Sequence, residues 1–461
     1  MVFSSLNFLF LFLPITLAVY LLVPSAVKNI VLLIASIFFY AWGEPVYVIL
    51  MLLNIVFNYI VGLQFEEISD QRLRKRHLII AIIVNLLLLG FFKYAGLFVS
   101  TFNSVFGTSI VWKSLSLPIG ISFYTFQALS YVIDAYKGKV RVQRNIINFA
   151  TYITMFPQLI AGPIVTYSEI EHQLGRRKIS MLQAGAGMER LILGLSKKVI
   201  LANNLGLLYT TIQTADERSV MTAWLGAAAY TLQIYFDFSG YSDMAIGMGK
   251  MLGFHFPENF DFPYLAKNIT EFWRKWHMTL SGWFRDYVYI PLGGNRVKPV
   301  RHILNIMIVW MLTGLWHGAG WNFVLWGIYY GILLIIEKYL LIPLCRNVPV
   351  IVKRIYTLLM VNFGWVLFSN TDFPEMLLYL RNMFGGAVNG FIDSTFLYYF
   401  KSNLILLILA VIACSPILRK LLKRISKKSA IAAAAICVVL FLISISFLVY
   451  GSYNPFLYFR F

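Results

Sequence analysis

Long apolar runs separated by short polar blocks dominate the chain. A membrane-spanning helix needs about 20 apolar residues, somewhat fewer where neighbours cover its ends. On that measure the pattern predicts helices over roughly 5–23, 29–42, 45–64, 78–92, 117–136, 145–163, 220–236, 303–317, 321–342, 355–369, 402–417 and 430–450. Two of these, 29–42 and 303–317, are short enough to be half-helices or re-entrant segments, which exist only where protein or a cavity surrounds them. The stretch from about 170 to 300 departs from the pattern. Segment 181–212 sets Glu189, Arg190, Lys197 and Lys198 among apolar positions at helical spacing, and an interfacial amphipathic helix is expected there. From 255 to 301 the chain is aromatic, basic and punctuated by Pro and Gly, too polar to face lipid, so it belongs at the interface or along a water-accessible cavity. No internal repeat is evident, which weighs against an inverted-repeat transporter. The pattern is that of an all-α polytopic membrane protein, with 1–461 as a single membrane domain and 430–461 as a last transmembrane helix with an aromatic tail.

Composition agrees. The 461 residues are 59% hydrophobic and 13% charged, against about a quarter charged in ordinary globular chains. Disorder, a collagen-like repeat and a disulfide scaffold are excluded on the same ground. The net charge of +19 comes from blocks between the apolar runs: Arg72–Arg76, Lys137–Arg144, Arg176–Lys178, Arg296–Arg301 and Arg419–Lys428. That is the positive-inside signature, so the excess charge is not read as nucleic-acid binding. Counting crossings from the first block places the N-terminus outside, and the block before 430–450 delivers the C-terminus to the outer face. The first basic residue is Lys28, so a cleavable signal is not expected. Cys345, Cys414 and Cys437 are far apart in or beside apolar runs and read as core residues.

Of the six histidines, His77, His172, His255 and His302 sit in loops or beside basic residues. His317 stands in TGLWHGAGWNF between two strongly apolar runs, where an ionisable group is expensive. A neutral imidazole there can accept a proton from a hydroxyl, while Gly314, Gly318 and Gly320 let backbone or substrate approach closely. The alternative is a histidine hydrogen-bonded inside the bundle. His277 closes EFWRKWH; if this segment is helical, Trp273, Trp276 and His277 share a face. Arg274, Lys275 and Arg285 can meet the phosphates of an anionic cofactor, although an interfacial Trp/Arg belt accounts for the same composition. Asp237 and Asp243 are read as ion-pair partners within the bundle, with those arginines as candidates, and the alternative is that Asp243 orients a histidine. No H-x-x-x-H pair or nearby Cys/Asp set completes a metal shell, so no metal is expected. There is no G-x-S-x-G elbow and no P-loop. The C-terminal GSYNPFLYFRF is an aromatic anchor, or a short tail that brings the Tyr458 hydroxyl back into a cavity.

With SFYTFQALSYVIDAYKG, MFPQLIAGPIV, YFDFSGYSDMAIGMG, FWRKWHMTLSGWFRDYVYIPLGGNR and LTGLWHGAGWNFVLWG in order along it, the chain resembles the membrane-bound O-acyltransferases of the alginate O-acetylation subgroup. The resemblance implies a ring of about 11–13 tilted transmembrane helices, with re-entrant and interfacial helices around a central funnel. It matches the family's catalytic histidine to His317 and its second functional histidine to His277. It implies acetyl-coenzyme A as a cytosolic donor, with no permanently bound cofactor. The acetyl group would leave on the outer side of a bacterial cytoplasmic membrane, toward an envelope polysaccharide and through an extracytoplasmic SGNH-type acetyltransferase. The ending FLYFRF is similar to the subgroup's aromatic C-terminal motif and to that of the small peptide serving teichoic-acid D-alanylation, which makes Tyr458 the candidate acyl carrier. A D-alanyl transferase, a precursor flippase and a scaffold recruiting the secreted partner are the other readings.

Overall fold

The computed structural model describes residues 1–461 except 114, 161, 216, 217, 346, 388, 452, 456 and 458–461. The described residues form helices and connecting turns, with no strand among them. Six helices are long and apolar enough to cross a membrane: α3 (Tyr47–Glu67), α4 (Gln71–Phe106), α9 (Met181–Gln213), α14 (Trp321–Leu344), α15 (Val350–Ser369) and α20 (Ala430–Tyr450). Helices α17 (Ser394–Ser402) and α18 (Leu404–Ala413) bend by 60° at their junction and add a seventh if they count as one span; the run expected over 402–417 is α18, with the bend at its start. Helices α1 (Phe8–Leu22) and α2 (Lys28–Gly43) are apolar but shorter. The chain is therefore a multi-pass membrane protein.

The chain clusters into two compact units that interleave along the sequence. The first comprises Met1–Leu191 and Tyr241–Pro257, the second Ile192–Gly240 and Glu258–Phe461. In the first, α5 (Ile121–Tyr136) is buried along almost its whole length. Asn54 and Asn58 of α3 and Asn85 of α4 are buried and exchange side-chain hydrogen bonds of 2.8–3.2 Å, the polar glue used between helices in lipid. The span expected over 145–163 is two pieces, α6 (Ile146–Thr154) and α7 (Phe156–Leu159), capped by Asn145 and broken at Met155, two residues before Pro157. Helix α8 (Tyr167–Gly175) follows, opened by a capping box between Thr166 and Glu169.

The interfacial helix expected over 181–212 is instead one of the spanning candidates. Helix α9 pairs antiparallel with α10 (Val220–Met251), and the contacts show why charge is tolerated there. A Cβ at Gly187 or Gly247 would come 2.6 Å from the other residue's carbonyl oxygen, and one at Gly240 would come 2.7 Å from that of Gly194. The glycines recur every seven residues on both helices, so the backbones meet along one seam. Arg190 pairs with Asp243 at 2.8 Å, and Lys198 with Asp237 at 2.6 Å, beside that seam. The carboxylates do pair within the bundle, but with these partners and not with Arg274 or Arg285. Lys198 and Asp237 are 2% exposed, so the charges face protein and not a membrane surface.

In the second unit, α11 (Ile269–Lys275) and α12 (Met278–Phe284) precede α13 (Pro299–His317), which turns back into α14. A Cβ at Gly314 would lie 2.3 Å from the Phe323 carbonyl oxygen and one at Gly327 2.4 Å from that of Trp310. Of the glycines expected to permit close approach, Gly314 meets backbone across this hairpin, whereas Gly318 and Gly320 face the side chains of Phe323 and Asn322. Helix α16 (Phe373–Arg381) packs near α15 through Tyr379, which shares a buried cluster with Val366. The block 419–428, read as a loop, is a helix, α19 (Ile417–Lys428), with basic residues through its length and no buried residue.

Candidate active site

Both histidines singled out by sequence are buried, His277 to 1% and His317 to 4% exposure. His317 is the last residue of α13, at the tip of the glycine-packed hairpin. Its ring meets Trp326 of α14 edge-to-face at 5.0 Å and Phe368 of α15 at 5.4 Å. Asn322 of α14 donates to the Phe368 carbonyl at 3.2 Å and ties the start of α14 to the end of α15. Three helices thus fix one imidazole inside an aromatic wall, where an ionisable side chain is least expected on energetic grounds.

His277 does not continue the helix before it. Helix α11 ends at Lys275, Trp276 is extended, and His277 takes φ 44° and ψ 55°. Among the described residues Phe262 and His277 are the non-glycine positions with positive φ, a conformation that side chains disfavour and that surrounding contacts must hold. Asn259 supplies them: its carbonyl accepts from the Met278 amide at 3.0 Å, and its Oδ1 sits 3.0 Å from His277 Nδ1. Thr279 donates from its hydroxyl to the same Oδ1 at 2.9 Å. An amide oxygen only accepts, so Nδ1 carries the proton and Nε2 the lone pair. Burial, and next to it the charge of nearby His317, push the His277 pKa well below its ordinary value of 6.5, so the ring stays neutral. Asn259 has no spacing signature; it sits 18 residues before His277 in a loop of aromatic residues, and only the fold reveals it.

The two tryptophans are core residues. Trp273 packs edge-to-face against Trp310 at 4.7 Å, Tyr330 at 4.9 Å and Trp326 at 5.4 Å, and Trp276 lies 4.7 Å from Trp365. The helical face expected to join Trp273, Trp276 and His277 is broken at 276–277, yet all three end beside one aromatic cluster because the left-handed turn carries the chain back inward. The basic residues lie apart from it. Arg274 is exposed, Lys275 pairs with Glu271 at 3.0 Å, and Arg285 pairs with Asp286 at 2.7 Å. Among the described residues no three His, Cys, Asp or Glu side chains converge on one point. Tyr458 lies outside the described residues, but its neighbour Leu457 is buried in the cluster that holds Trp326 and Phe368.

Residues 140–380 match the model of the membrane-bound O-acyltransferase family. The chain is 44% identical over 373 residues to the probable alginate O-acetylase AlgI of Pseudomonas aeruginosa, covering 80% of this chain and 72% of that protein. It is 35% identical over 421 residues to the peptidoglycan O-acetyltransferase of Helicobacter pylori, covering 84% and 80%. The teichoic acid D-alanyltransferase of Bacillus subtilis is 26% identical over 313 residues, 61% of this chain and 79% of that one. A buried histidine on a glycine hairpin, inside a polytopic helical protein with such relatives, is an acyl-transfer setting, and the chain belongs to the membrane-bound O-acyltransferase family.

Proposed function

We propose that this enzyme takes acetyl from acetyl-coenzyme A on the cytosolic side of a bacterial cytoplasmic membrane and passes it outward for O-acetylation of an envelope polysaccharide. The observation that carries the reading is the seating of His317. A buried imidazole on a hairpin tip meets Trp326 and Phe368, two rings of the cluster in which Leu457, the residue just before Tyr458, is buried. The relatives acting on alginate and peptidoglycan span four-fifths of the chain, whereas the D-alanylating relative spans 61% of it.

The chemistry follows from proton affinities. A phenol with a pKa of about 10 is a poor nucleophile until a base removes its proton. His317 takes the Tyr458 proton, and the phenolate attacks the thioester carbonyl. The C–S bond breaks, the coenzyme A thiolate leaves, and the imidazolium returns the proton to it, so acetyl-tyrosine and free thiol are formed. The aryl ester is reactive enough to hand acetyl to an extracytoplasmic SGNH-type partner, whose attack regenerates the phenol. His277 positions the reaction as a fixed neutral acceptor. Arg274, Lys275 and Arg285, outside the aromatic cluster, are assigned to the donor's phosphates, and Trp273 and Trp276 build the wall of the site.

The test is transfer from radiolabelled acetyl-coenzyme A by purified protein, comparing wild type with His317→Ala and Tyr458→Phe. Loss of a general base lowers turnover by about 10²–10⁴-fold, so label is expected on the wild-type chain and on neither variant. Label that survives Tyr458→Phe but not His317→Ala keeps the enzyme and removes the tyrosine carrier. Wild-type protein that leaves acetyl-coenzyme A untouched with the SGNH partner present overturns the donor and favours D-alanyl transfer or precursor flipping.

A further inference from the structure

Helix α9 carries a charge where a spanning helix least tolerates one. Lys198 lies near the middle of Met181–Gln213, in a π-helical turn formed by Lys197–Ala202. Such widened turns recur at functional sites, and a mid-membrane charge needs a complete set of partners. The ammonium group has three donors, and three recipients surround it: Asp237 Oδ1 at 2.6 Å, Asn203 Oδ1 at 2.9 Å, and the backbone carbonyl of Pro455. The other carboxylate oxygen of Asp237 accepts the Leu457 amide at 2.9 Å. Asn203 also donates from Nδ2 to Asn454 Oδ1 at 3.2 Å.

Two of these partners are main-chain groups of the C-terminal tail, more than 200 residues away in sequence. The dependence runs both ways. A buried ion pair offsets its desolvation only when further hydrogen bonds complete it, and here the tail completes both ends. Without the pair, the tail would bury the Pro455 carbonyl without this donor and the Leu457 amide without this acceptor, which burial penalises. Tying α9 to α10 does not need the tail, because the Gly194–Gly240 approach already brings the backbones together.

We propose that Lys198, Asp237 and Asn203 form a clamp that seats the C-terminal tail in the core of the second unit, making them positioning residues for acyl transfer. The clamp fixes Leu457, the residue before Tyr458, in the cluster that includes Trp326 and Phe368, the two rings that meet His317. The positioning role rests on the carrier reading of Tyr458; the clamp itself does not.

The experiment compares full-length wild type with Lys198→Met/Asp237→Leu in detergent. Apolar replacement of both partners leaves no orphan charge, so the fold is expected to survive. Amide exchange in the peptide after Gly451 is expected to rise about tenfold or more, since charged hydrogen bonds hold it. Labelling of Tyr458 by acetyl-coenzyme A is expected to fall by a similar factor, while thioester hydrolysis to water, which needs His317 but not the tail, persists. Unchanged exchange, or a released tail labelled at the wild-type rate, overturns the proposal. Should the double variant fail to fold, Asn203→Ala keeps the ion pair and removes one anchor; unchanged protection there is equally fatal. If wild type itself carries no label on Tyr458, the carrier reading fails while the exchange readout still decides the clamp.

Discussion

At the scale of single residues, the site turns on how two buried imidazoles are held in place and how one of them, His277, is kept neutral. His277 has its Nδ1 proton fixed by Asn259 and its pKa pushed well below 6.5 by burial and then by His317. The unfolded chain, with an ordinary histidine, binds more protons than the folded one once the pH drops below 6.5. Stability from this group is therefore complete above that pH and is lost as the pH falls below it. Thermal unfolding in detergent between about pH 7.5 and pH 5 should show this slope, and His277→Asn, which tolerates the left-handed backbone, should flatten it. An unaltered slope in that variant would assign the acid lability elsewhere. Asn259→Ala leaves the buried Nδ1–H without its acceptor and is expected to cost about 1–3 kcal/mol. His317 was legible in the sequence because a lone ionisable residue between two apolar runs has few innocent explanations. Asn259 and Asn322 were not, since an amide that orients another side chain through the fold leaves no period and no motif.

At the scale of elements, glycine placement decides where helices touch. Gly314 and Gly327 bring α13 and α14 together with backbone carbonyls 2.3 and 2.4 Å from where a Cβ would sit. A carbonyl in a helix cannot swing aside as a side-chain tip can, so Gly314→Ala must push the arms apart. Overpacking of this kind costs about 1–3 kcal/mol, and because His317 lies three residues on, turnover should fall along with the melting temperature. Gly185→Ala is the control: nothing lies within 4 Å of its added methyl, and alanine favours a helix by about 0.5–1 kcal/mol over glycine. A Gly314→Ala protein as stable and active as that control would discard the seam as the support of the site. Gly314 was readable because it shares one motif with Gly318 and Gly320, whereas its counterpart Gly327 on α14 carried no such signal. The α9–α10 seam was not: its glycines are spread at intervals of seven over two segments, and the charges beside them suggested a polar face. Only pairing with Asp237 and Asp243 turns Lys198 and Arg190 inward.

At the scale of the whole molecule, apolar length alone does not fix the topology. Six helices plus the bent pair make seven candidate crossings, and an odd number would put the two termini on opposite faces. The basic blocks predict both outside, an expectation that requires an odd number of further crossings from helices that the apolar measure misses. Helix α10 is long enough to be such a helix. Its 32 residues extend about 48 Å at 1.5 Å per residue, and most of its side chains are buried. A helix sheltered by protein can carry Asp237, Ser239, Ser242 and Asp243 without facing lipid. The same shelter explains why the middle of the chain was the least legible part of the fold. Surface labelling decides the count. In a chain with Cys345, Cys414 and Cys437 replaced by alanine, a cysteine at exposed Val111, beyond α4, should react with an impermeant maleimide in intact cells. A cysteine at exposed Lys420, on basic helix α19, should react only after the membrane is opened, because cytoplasmic segments hold the Lys and Arg. The reverse pattern would invert the protein and put the donor on the wrong side of the proposed transfer. Equal labelling of both sites in intact cells would place Val111 and Lys420 on one face and remove the crossing that the basic blocks demand between them.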